Sequence, residues 1–171
     1  MNITSKSRYA LKIMMDLAYY AGTDPTTVVR RSEISRRQGI PTEYLDQIMI
    51  RLRAANLVDS VRGRSGGYRL GRGAAEISLW AVFASVEDSI YPVECVASKD
   101  ANRVIHKTTH GASCNDGCGF ESSCITRGAW SEIFDAMRAP LLTMTLATAT
   151  TTWAEENRMC PVGGIRECRG G

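Results

Sequence analysis

Apolar residues recur at helical spacing near the start of the chain: Tyr9, Leu11, Ile13, Met14, Leu17 and Ala18. That repeat belongs to a helix with one buried face. It predicts a helix over residues 5–22, with Gly22 at its stop. Asp24-Pro25 marks a turn over 23–27. A short helix is expected over 31–38, with Ser32 as candidate N-cap and Gly39 as the residue that ends it. Ile40-Pro41-Thr42 then leads into a second helix over 42–56, whose buried face is Leu45, Ile48, Met49, Leu52 and Leu57. Leu57 to Val61 and Tyr68 to Leu70 read as strands flanking Arg62-Gly63-Arg64-Ser65-Gly66-Gly67, a β-hairpin.

Further along, Leu79, Trp80, Val82, Phe83 and Val86 predict a helix over 77–87 that packs on the first. Residues 88–124 show no period, and a loop that long is usually functional or partly disordered. A long amphipathic helix is expected from Thr126, with Ala129, Trp130, Ile133, Phe134, Met137 and Leu141 on one stripe. Pro140 should kink or end it near Ala139. So heavy a stripe favours pairing between subunits over folding back on its own domain. Residues 146–157 are a further helix, weakened by threonines, and the Gly-rich tail 158–171 is expected to be mobile. The class is mainly α with a small β-hairpin. It divides into a DNA-binding winged helix-turn-helix over 1–90, a cysteine loop over 91–124, a dimerisation region over 125–157 and the tail.

Two helices, one short, joined by a Gly-containing turn form the helix-turn-helix pattern. Its second helix would lie in the major groove, where Thr42, Glu43, Asp46 and Gln47 can meet base edges or phosphates. Arg51 and Arg53 suit phosphates. The hairpin tip is basic and almost free of bulk, so Arg62 and Arg64 can enter a minor groove as a wing. The phosphate-loop pattern G-x-x-x-x-G-K-[ST] is absent.

Charge sharpens this reading. Residues 1–73 hold 13 Lys/Arg against 6 Asp/Glu; residues 74–171 hold 8 against 12. The first half is built to meet an anion, and double-stranded DNA is the natural partner. No run of about 18 apolar residues predicts a membrane span. Lys12 and Asp16 break up what would otherwise be a leader. The expected location is cytoplasmic, where thiols stay reduced unless they bind metal or sense redox state.

The chain has six cysteines. Four of them, Cys95, Cys114, Cys118 and Cys124, fall within 30 residues in a Gly-, Ser- and Asn-rich segment. Thiolates are preferred ligands of iron–sulfur clusters and of zinc. The four are read as a metal pocket, most naturally for an iron–sulfur cluster; buried structural cysteines are the plainer alternative. Cys160 and Cys168 read as free tail thiols, and His106 as a loop residue.

Thr4-Ser5-Lys6-Ser7-Arg8-Tyr9-Ala10, Ile34-Ser35-Arg36-Arg37-Gln38-Gly39-Ile40, Tyr44-Leu45-Asp46-Gln47 and the run Leu57 to Gly71 together resemble the IscR-type winged-helix regulators. The resemblance resumes at Cys118, Cys124, Ile125, Thr126, Ala129 and Trp130. It implies a homodimer that grips a partly palindromic operator, with a cluster held before the dimer helix. Carried over, the cluster cysteines fall on Cys95, Cys118 and Cys124, and the base-reading positions on Glu43, Asp46 and Gln47, with Arg62 at the wing. This chain departs from the family in two ways. Twenty-two residues separate Cys95 from Cys118. Where the family offers a histidine or an aspartate as fourth ligand, this chain has Arg127 or Arg8, and arginine has no lone pair to give. Cys114 is the first choice for that ligand and His110 the second; four thiolates suit a 2Fe–2S or a 4Fe–4S cluster.

The expected function is a cluster-controlled transcription regulator, usually a repressor, sensing iron, cluster status, or redox or nitric-oxide stress. The alternative keeps DNA binding but switches it by thiol–disulfide exchange or zinc. An enzyme is not expected: the two histidines lie in no nucleophile motif and no nucleotide fingerprint is present.

Overall fold

A computed structural model describes residues 4–21, 24, 26–93, 96 and 124–156. Helix α1 spans Ser5–Ala21. Thr4 caps it: its hydroxyl accepts from the Lys6 and Ser7 amides, satisfying donors that the first turn leaves open. Helix α2 spans Arg31–Gln38 and α3 spans Thr42–Ala54. Gly39 ends α2 at φ 63°, the left-handed conformation that glycine adopts without a Cβ clash. Ser32 is not the N-cap; Arg30 holds that place without a side-chain cap, because the helix starts one residue before the serine.

Strands β1, Val58–Val61, and β2, Gly67–Leu70, pair antiparallel with Val58 opposite Leu70 and Val61 opposite Gly67. The hairpin is pinned along β2, near its tip. Val29, between α1 and α2, exchanges two 2.8 Å backbone hydrogen bonds with Tyr68. That approach requires a glycine next door: a Cβ at Gly67 would lie 2.2 Å from the Val29 carbonyl oxygen.

A 3-10 turn over Ala74–Glu76 leads to α4, Leu79–Val86, two residues shorter at its start than the sequence pattern predicts. Ser78 caps α4 by accepting from the Ala81 amide, and this puts Ile77 outside the helix. Ile77 is still fully buried, and its carbonyl accepts from the Leu146 amide. As expected, α4 packs on α1.

Helix α5 spans Arg127–Thr143 and α6 spans Leu146–Glu156. Of the two outcomes expected at Pro140, a kink or an end near Ala139, the end is corrected: α5 runs one turn past Pro140. The carbonyls of that last turn are taken up by the Met144 amide and by the Thr143 hydroxyl. The threonines of α6 do not prevent a helix either. Thr150, Thr151 and Thr152 each donate back to the carbonyl four residues earlier.

One core joins these elements: Ile13, Met14 and Leu17 of α1, Ile34 of α2, Leu45, Met49 and Leu52 of α3, Val82 and Val86 of α4, and Leu146 of α6. The predicted buried face of α3 matches. Among the described residues no helix is long and apolar enough to cross a membrane. The expected tail and most of the cysteine loop lie outside the described residues, as do Gly22 and Pro25.

Candidate nucleic-acid interface and metal-binding segment

Burying Leu45, Ile48, Met49 and Leu52 turns the opposite side of α3 outward. Glu43, Gln47 and Ile50 lie on that side, Gln47 and Ile50 four and seven residues along from Glu43, so they share one stripe. Thr42 is half-buried, its hydroxyl 3.4 Å from that of Ser35. Asp46 is held by Arg31, whose Nη1 donates to its Oδ2 at 2.7 Å. The hairpin carries Arg62 and Arg64 exposed at its tip. At its middle, Arg69 pairs across the strands with Asp59 at 3.2 Å.

Arg51 points elsewhere. Its Nη1 donates to the Val86 carbonyl at 2.9 Å and to Asp88 Oδ1 at 2.8 Å. Its charge is therefore committed to the end of α4 rather than left open for a phosphate. Asp88 also meets Lys6 Nζ at 3.5 Å. The hydrogen bond from Arg51 is the main reason its carboxyl sits below the ordinary value of 3.8, against the opposing effect of partial burial. The neighbouring Glu87 accepts short hydrogen bonds from the Thr4 and Ser7 hydroxyls. Glu87 and Asp88 thus fasten the root of the cysteine segment to α1 and α3.

Of the candidate metal ligands only Cys124 is among the described residues; Cys95, Cys114, Cys118 and His110 lie outside them, as do His106, Cys160 and Cys168. Cys124 sits three residues before α5, with Sγ 3.4 Å from Thr126 Oγ1. Its pKa is lowered, first by the Thr126 side chain and then by the Thr126 backbone, which favours the thiolate that a metal needs. Among the described residues no three His, Cys, Asp or Glu side chains converge as a metal site.

Helix α5 uses its apolar stripe in two ways. Phe134 is buried against Trp80 and Tyr91, with ring centroids 5.8 and 4.9 Å away. Ile133 and Trp130 stay outward, 48% and 39% exposed. Sequence reasoning passed over two residues of the outward surface. Ile50 is 66% exposed on α3, and its spacing from Gln47 was the available signal. Arg31 holds Asp46, a contact across the helix-turn-helix that no local pattern encodes.

A helix-turn-helix braced by a basic hairpin, with a long helix beyond it, defines a winged-helix DNA-binding regulator of transcription. The chain belongs to the Rrf2 family, described as iron-dependent transcriptional regulators, which it matches over residues 3–152. It is 37% identical over 147 residues to the HTH-type transcriptional regulator IscR of Serratia proteamaculans, covering 86% of this chain and 77% of the relative. IscR of Photobacterium profundum is 42% identical over 110 residues, 64% of this chain and 62% of that one. Among solved structures, IscR of T. potens superposes with a TM-score of 0.64 at 26% identity, covering 94% of this chain and 93% of that one. CymR, the global cysteine regulator of B. subtilis, gives 0.64 at 28% identity, with 89% and 98% covered. These relatives are regulators, and the chain is a regulator rather than an enzyme.

Proposed function

We propose that the protein is a cytoplasmic homodimer that represses transcription, its grip on an operator set by an iron–sulfur cluster. The observation that carries this reading is the placement of Cys124. A thiol biased toward thiolate stands at the head of α5, beyond a segment whose other end is tied to the DNA-reading helix through Asp88 and Arg51.

The donor set fits such a group. Cys124 offers a soft, readily ionised ligand, and Cys95, Cys114 and Cys118 supply three more in the intervening segment, with His110 as second choice to Cys114. Arg127 cannot serve. Four thiolates accept a 2Fe–2S or a 4Fe–4S cluster, and the group supplies a crosslink sensitive to oxidants, nitric oxide and iron supply.

The chain's own residues do the rest. Asp88 and Glu87 hold the root of the cysteine segment against α1 and α3. A change of order in that segment pulls on Arg51 and so biases the posture of α3. Glu43, Gln47 and Asp46, the last steadied by Arg31, face the major groove; Thr42 lies at the helix start. Arg62 and Arg64 follow the backbone or the minor groove. Trp130 and Ile133, outward beside the buried Phe134, pair with the same stripe of a second copy. Two heads then meet two half-sites.

The test is anaerobic purification with iron and sulfide counts, visible spectra, and gel shifts on an operator selected in vitro. A coloured protein that loses colour on Cys124→Ser, and whose DNA affinity changes when the metal is removed, supports the reading. Each of Arg62→Ala and Arg64→Ala should lower the salt slope of binding by about one ion. A zinc-loaded or metal-free protein whose shift responds to diamide would overturn the cluster and leave a zinc or disulfide switch.

A further inference from the structure

Away from the DNA-reading face, α1, α2 and α6 line a half-open cavity of about 510 Å³. Its walls include Tyr19, Tyr20 and Trp153, with Asp16, Arg37 and Lys12 among the polar groups. The rings form a corner: Tyr19 meets Tyr20 and Trp153 edge to face at 5.2 and 5.4 Å. The volume lies in the range of small-molecule sites, which are typically apolar walls with a few placed polar groups.

The charges select the ligand. Asp16 is spent internally, since Arg37 grips it through Nη2 at 2.6 Å and Nε at 3.0 Å, and Gln38 Nε2 donates to it at 2.7 Å. Arg37 is spent as well, its guanidinium 3.8 Å from the centre of the Tyr20 ring. Lys12 is exposed and makes no ion pair among the described residues. The cavity therefore offers flat aromatic surface beside one uncommitted cation.

We infer that this cavity is a binding site for a small aromatic carboxylate, whose ring packs in the Tyr19–Trp153 corner and whose carboxylate pairs with Lys12. Stacked rings and a charge-assisted hydrogen bond act together there. The occupant touches α1 and α6 at once, with α2 as the neighbouring wall. The site needs neither the metal nor DNA.

Salicylate is the probe. The full-length protein is titrated and the three tryptophan indole N–H resonances are followed by NMR, with Trp153 assigned through Trp153→Phe. A saturable shift of the Trp153 resonance is expected, with Trp80 and Trp130 unmoved. Lys12→Ala should weaken binding about tenfold or more, as should replacing the probe by neutral salicylamide. Lys12 is on the surface, so the variant should fold. An unmoved Trp153 resonance, equal affinity in Lys12→Ala, or a response at Trp130 instead would overturn the assignment.

Discussion

Arg51 Nη1 stands 2.8 Å from Asp88 Oδ1, joining the last turn of α3 to the second residue beyond α4. One ion pair thus connects the helix proposed to read DNA with the start of the segment that carries the cysteines. Asp88→Asn removes the charge and keeps the shape. The side chains are 37% and 44% exposed, so the pair is worth about 1 kcal/mol or less at neutral pH. The carboxyl is depressed in the fold, so its contribution is present above the unfolded value of 3.8 and lost as pH falls through the lower folded value. Urea melts should show a constant deficit for the variant from neutral pH to about pH 5, narrowing below 3.8. On the proposed function, the same variant reduces the difference in DNA affinity between metal-loaded and metal-free protein.

Asp16 and Arg37 hold α1 against α2, with the carboxylate side chain 1% exposed. Asp16→Ala leaves a part-buried guanidinium with only the long 3.8 Å contact to Glu33, strips Gln38 of its acceptor, and should cost about 3 kcal/mol. Replacing both partners by apolar residues should cost less than the sum of the single changes, a non-additivity that a double-mutant cycle in urea would measure.

Gly67→Ala forces its Cβ toward the Val29 carbonyl, which is backbone and cannot swing away. A loss of about 1–3 kcal/mol is expected, with faster amide exchange at Val29 and Tyr68. DNA affinity should fall with the displaced wing.

Ile133 and Phe134 are neighbours with opposite tasks. Phe134→Ala empties a buried site and should lower stability by about 3–5 kcal/mol. Ile133→Glu should leave the fold intact, since it charges only the outward stripe; on the proposed function it also shifts the protein toward monomer in light scattering.

The amphipathic repeats of α1 and α3 made the core legible in the sequence, because a buried face at period 3.6 is a local property of the chain. The glycine-rich hairpin was legible for the same reason: its turn chemistry is carried by residue type and spacing. The end of α5 was misplaced because the proline rule counts one missing amide. It does not count the Thr143 hydroxyl and Met144 amide that serve the last carbonyls. The commitments of Arg51, Asp46 and Asp16 were invisible too, since their partners lie 37, 15 and 21 residues away. The sequence by itself determined which faces are apolar, where the chain turns and which half is basic, because these follow from side chains a few positions apart. Only the tertiary structure decided which arginines remain available to DNA and which brace the fold. A guanidinium takes whichever carboxylate the packed helices bring within 3 Å, and that proximity is a property of the packing.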